Sequence, residues 1–113
     1  MIDVVFERNK QNDIVSFTMS GHADAGPYGQ DLVCAGASAV ALGTVNAIIA
    51  LCQVELVTEM ENEGGFLRCR VPNDLEETTF EKVQLLLEGM NISLQSIAES
   101  YGEHIQIEER IRR

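Results

Sequence analysis

His22 and Cys34 are the two residues whose types and spacing could do nucleophilic chemistry, and both lie in the stretch GHADAGPYGQDLVCAGAS, residues 21–38. A thiolate is the reactive form of cysteine, and a free thiol with pKa about 8.5 is only roughly 3 % ionised at neutral pH. Asp31 is a favoured N-cap residue, which makes Cys34 the third residue of the helix it opens and sets the sulfur beside the unsatisfied amides of the first turn. A helix terminus contributes about 0.3–2 kcal/mol toward the thiolate, so a cationic neighbour is also needed. His22 is the candidate near in sequence. An imidazolium beside a thiolate is the ion pair of a cysteine protease, with His22 as general base and then as acid to the leaving amine. The backbone N–H of Cys34 and a neighbouring amide are expected to hold the oxyanion. Gly21 and Gly29 would let a substrate backbone approach, and GPYG, residues 26–29, could move as a lid.

The same residues have plainer roles open to them. A cysteine in an apolar helix can be a small core residue, and His22 a hydrogen-bonded residue at a strand end. Asp31 caps the helix or orients His22. Ser38, one turn after Cys34, bonds a helix carbonyl or lines the site.

The elements that must position these residues follow from periodicity. Ile2, Val4 and Phe6 fall on one face of an alternating segment, and Val15, Phe17 and Met19 alternate with Ser16, Thr18 and Ser20, predicting two strands joined through the polar RNKQND turn. The second strand then delivers Ser20, Gly21 and His22 to its end. ADAGPYGQ, residues 23–30, has no periodicity and reads as a loop. A long alanine-rich helix follows to about Gln53, with Gly36, Ala39, Gly43, Ala47 and Ala50 forming a stripe without bulk against which the sheet or a partner subunit packs.

ELVTEM and FLRCRV flank ENEGG as a second hairpin ended by Pro72, its inward face Leu67, Cys69 and Val71. Asp74 with Glu77 forms a capping-box pattern. The helix behind it carries Phe80, Val83, Leu87, Met90, Leu94, Ile97 and Tyr101 on one stripe, and Gly102 is placed to stop it in a left-handed conformation. EHIQIEER returns as a strand, with His104 at the surface, and RIRR ends the chain as a short basic tail. The order β-β-α-β-β-α-β predicts an α+β fold: a mixed or antiparallel sheet of about five strands covered by two long helices.

At 113 residues the chain is expected to be one domain, 1–113, able to bury roughly two thirds of its unfolded surface. Cys34, Cys52 and Cys69 are odd in number and widely spaced, with no CxxC pair or zinc-type cluster, so free thiols, a reducing cytosol and no metal or cofactor are expected. Cys52 and Cys69 read as core, and a redox sensor at Cys34 lacks a nearby resolving cysteine. Asp3 and Glu7 stand where a secretion signal would be basic and then apolar. Leu32 to Val54 carries no charge, but its alanine, glycine, Asn46 and Gln53 favour a buried core helix over a membrane span. A net charge of −10 repels nucleic acid and attracts a basic polypeptide.

The motif Gly-His-Ala, a glycine-bearing loop, Gly-x-Asp, two apolar residues, Cys and then Ser resembles the signature of the ribosomal-processing cysteine proteases, the Prp family. Its elements stand at Gly21, His22, Ala23, Gly29, Asp31, Cys34 and Ser38. The resemblance implies a cytoplasmic, homodimeric endopeptidase that removes the N-terminal extension of large-subunit ribosomal protein twenty-seven, cutting after an aromatic residue. It makes His22 and Cys34 the catalytic dyad and loop 23–30 a mobile segment over the cleft, with Gly21, Gly29, Asp31 and Ser38 supporting the site. The alternative is a non-catalytic ribosome-assembly factor that binds a basic client and keeps Cys34 only as core.

Overall fold

The computed structural model describes residues 1–22, 31–61 and 65–112. The elements run β1 (Ile2–Arg8), β2 (Ile14–Ser20), α1 (Leu32–Cys52), β3 (Val57–Met60), β4 (Phe66–Arg70), α2 (Glu77–Tyr101) and β5 (Ile105–Ile111). This is the expected α+β order. The strands form one mixed sheet, β3-β4-β2-β1-β5, antiparallel except where β1 and β5 pair in parallel.

Alternation along the strands decides which face is covered. Ile2, Val4 and Phe6 of β1, Phe17 and Met19 of β2, Leu67 and Cys69 of β4, and Ile105 of β5 are all buried in one core. Both helices lie on that face. Helix α2 contributes Val83, Leu87, Met90 and Leu94, with Phe80 and Ile97 half-buried beside them, while Tyr101 is exposed.

Helix α1 is less buried than the core helix expected. It buries only Val33, Ala37, Ala41 and Ile48, and exposes Leu32, Leu42, Ile49 and Leu51. The helix is apolar all round, long and apolar enough to cross a bilayer by length and composition. One stripe of it packs into the core shared with the sheet. The stripe of small residues is not the one that meets the sheet: Ala39, Gly43 and Ala50 are exposed, and Gly36 faces Ile97 of α2.

Three ends also differ from expectation. Helix α2 starts at Glu77 with Glu76 as N-cap and no side-chain cap bond: Leu75 packs against the core, and Glu76 after it is still extended (φ −60, ψ 150). Gly102 is right-handed (φ −61, ψ −14), and the His104 N–H closes a turn onto the Tyr101 carbonyl at 2.8 Å. His104 lies in that turn rather than in β5 and is half-buried, its carbonyl accepting from the Ile2 N–H at 2.8 Å. Nor is RIRR a tail: Arg110 and Ile111 belong to β5, and the Arg112 N–H donates to the Arg8 carbonyl.

At the far end of β1, Arg8 is 8 % exposed and ties three elements together. Its guanidinium donates to both carboxylate oxygens of Glu88 on α2 (2.7 and 2.8 Å) and to Glu109 Oε1 on β5 (2.8 and 3.1 Å). Asn91, also buried, donates to the same Glu109 oxygen at 2.9 Å. A charge this enclosed is tolerable only when its hydrogen bonds are met, as they are here.

Candidate active site

One end of the sheet gathers the pieces predicted for the site. Strand β2 ends at Ser20 and hands the chain to Gly21 and His22. Gly21 has φ +88, and a Cβ there would stand 2.3 Å from the Met1 carbonyl oxygen, so no other residue fits without moving the backbone. Its N–H donates to the Gly65 carbonyl at 2.9 Å, and the His22 carbonyl accepts from the Met1 amino group at 2.6 Å. Gly65, itself at φ +83, lies against the His22 imidazole: a Cβ there would come within 3.0 Å of Nε2.

Opposite, Asp31 caps α1. Its Oδ1 accepts from the N–H groups of Val33 (3.1 Å) and Cys34 (3.0 Å), and its backbone is extended at φ −81, ψ 101. Cys34 is therefore the third helical residue, half-buried, as expected. One expectation fails: the Cys34 N–H is committed to Asp31 and is not free to hold an oxyanion. The cap that starts the helix takes the donor first.

Gly21, His22, Cys34 and Ser38 line a single cavity of about 260 Å³. Gly29 and the rest of 23–30, including the expected lid, lie outside the described residues. Ser38 is exposed and sits one turn beyond Cys34 on the cavity wall. Cys69 is buried and Cys52 half-buried, both away from this wall; burial pushes the Cys69 thiol up from its ordinary value, partly offset by its hydrogen bond with Thr58.

The cavity's apolar wall was missed in the sequence. Leu42 supplies one side, two turns beyond Cys34, and the 34, 38, 42 spacing on a helix could have found it. Met60, Glu61, Gly65 and Phe66 come from the second hairpin, which no local spacing connects to Cys34. Ile2, Met19 and Leu67 form the floor, where core positions open into the cleft. An arrangement with a thiol, an imidazole and an apolar trough in one cleft can hold an extended peptide beside a nucleophile.

The comparisons agree with this chemistry. A profile described as cysteine protease Prp matches residues 1–106. The ribosomal processing cysteine protease Prp of Bacillus subtilis is 39 % identical over 107 residues, spanning 95 % of this chain and 96 % of that protein. A crystal structure of the ribosomal processing protease Prp from Staphylococcus aureus with a covalently linked product peptide superposes with TM-score 0.89 at 39 % identity, over 97 % of this chain and all of that one. A second Staphylococcus aureus structure, with a substrate peptide, gives TM-score 0.82 over the same shares. With the motif, the fold and whole-length relatives in agreement, this chain belongs to the Prp family of cysteine proteases.

Proposed function

We propose that this protein, as one cysteine protease domain over 1–113, is a cytoplasmic, homodimeric endopeptidase that removes the N-terminal extension of large-subunit ribosomal protein twenty-seven. The observation that carries this reading is the shared cavity: His22 and Cys34 reach it from different elements and line it together. His22 takes the thiol proton, and the Cys34 sulfur attacks the scissile carbonyl carbon to form a tetrahedral intermediate. His22 then returns the proton to the leaving amine, and water hydrolyses the thioester that remains on Cys34. The positive end of α1 favours the anionic sulfur and the negative charge that develops beside it. A net charge of −10 suits a basic ribosomal protein as client and disfavours nucleic acid.

The test is mass spectrometry of the extended ribosomal protein after incubation with the wild-type protein and with Cys34→Ala. A single cut that removes the extension, absent in the variant, is expected. Binding of the client without any cut would move the protein to the assembly-factor reading.

A further inference from the structure

His22 does not stand where the pleat of β2 would put it. Phe17 and Met19 point into the core, and Thr18 and Ser20 therefore point to the face of the sheet without helices. Strict alternation would send His22 to that same face, away from Cys34. Gly21 undoes this: its φ of +88 turns the chain, and the imidazole lines the cavity together with Cys34. A change of direction at a glycine is loosely held unless its far side is fixed, because glycine has the widest backbone freedom.

Met1 fixes it. The pairing of β1 with β2 sets Asp3 opposite Ser20, so two further steps along each chain bring Met1 opposite His22. The Met1 nitrogen donates to the His22 carbonyl at 2.6 Å, a rung of the ladder that lies past the ends of both strands. The Met1 carbonyl oxygen fills the space that a side chain on Gly21 would need. Ile2, next in the chain, is buried in the core, forms part of the cavity floor and donates its own N–H to the His104 carbonyl at 2.8 Å. The residue that carries Met1 is thus itself anchored.

We propose that Met1 is a positioning residue for His22: its backbone nitrogen holds the histidine turned toward Cys34. The inference rests on the dyad reading above and adds to it what fixes the base. The nitrogen donates equally as an amine or, behind further residues, as an amide, so the hydrogen is what counts. His22 must take the thiol proton and return it to the leaving amine from one geometry, and a displacement of about 1 Å can cost on the order of a hundredfold in rate. Met1 does not line the cavity, so substrate binding should not register its loss.

The test uses chains with Gly-Ser placed before residue 1, the one with Met1 serving as reference, and a synthetic peptide spanning the junction between the extension and the mature ribosomal protein. Met1→Ala keeps the N–H and should cleave like the reference. Met1→Pro has no N–H and should lower kcat at least roughly tenfold with KM within about twofold. A chain cut to begin at Ile2 removes the rung without introducing proline and should show the same split. An unchanged kcat in the Ile2 chain overturns the proposal, as does a loss in Met1→Ala equal to that in Met1→Pro. Alkylation of Cys34 by iodoacetamide at about pH 6 separates this proposal from the dyad. Rates that fall both in His22→Ala and in the Ile2 chain support the positioning role. A fall in His22→Ala alone leaves the dyad and removes Met1; no fall in either removes the dyad and the proposal with it.

Discussion

The imidazole of His22 lies over Gly65, so close that a single methyl group on Gly65 would sit 3.0 Å from Nε2. The two residues are 43 positions apart, and the Gly21 N–H bond to the Gly65 carbonyl ties their segments together. Replacing Gly65 with alanine therefore acts twice. A positive φ of +83 strains any side chain by about 1–2 kcal/mol, and the new methyl presses the imidazole out of place. Gly65→Ala should remain folded, with a lowered melting temperature, and lose at least about tenfold in peptide cleavage. Cleavage at the wild-type rate would show that the ring has room to move without loss.

If His22 and Cys34 form the proposed dyad, iodoacetamide at pH 6 should alkylate Cys34 in the wild type much faster than in His22→Ala, at least roughly tenfold. Cys69, buried and with its thiol pushed up, should remain unlabelled until the protein is unfolded, with half-buried Cys52 reacting in between. Peptide mapping by mass spectrometry assigns each label. Equal rates at Cys34 in the two proteins would remove the ion pair.

Asp31 holds two amides of the first turn of α1 through one oxygen. Asp31→Ala should cost about 1 kcal/mol in urea unfolding, and Asp31→Asn, which keeps an accepting oxygen, should recover most of it. An equal loss in both would mean that the charge rather than the cap matters.

The pH dependence of stability should report Glu109. Its hydrogen bond from Arg8 holds its carboxyl below the usual range, against the opposing effect of burial, with Asn91 assisting. A carboxylate depressed in the folded state stabilises fully above its unfolded value near 4.5 and loses that contribution as pH falls through its folded value. Melting temperature should therefore drop as pH is lowered from about 5 to 3, and the drop should be shallower in Glu109→Gln.

Much of this architecture was legible because the inner strands β1, β2 and β4 have one covered face. Alternation at Ile2–Phe6 and at Phe17 and Met19 is the direct image of a sheet packed on one side, and the stripe from Phe80 to Leu94 is that of a helix lying on it; Val15 breaks the expected face, because the register shifts opposite Glu7 and Arg8 and puts Ile14 and Ser16 in the interior instead. Asp31 was legible because capping is a local act. Helix α1 was harder: a segment apolar all round gives no sign of which stripe will be buried, and the sheet met Val33, Ala37, Ala41 and Ile48 instead of the glycines. The start of α2 fell at Glu77, after Leu75 packs against the core, a tertiary contact that the local capping pattern does not register. Met60, Glu61 and Gly65 were invisible as site residues, since only the pairing of β4 with β2 brings them to Cys34.

Among the described residues, no residue beyond Leu67 lines the cavity. Helix α2 and β5 thus form a foundation, clamped to β1 through Arg8, that carries weight without touching the cleft. The chain is divided into a working half and a supporting half within one core. Substitutions between 77 and 111 become a built-in reference set: they calibrate how activity follows overall stability, and any variant of the first half that departs from that line is reporting on the chemistry itself.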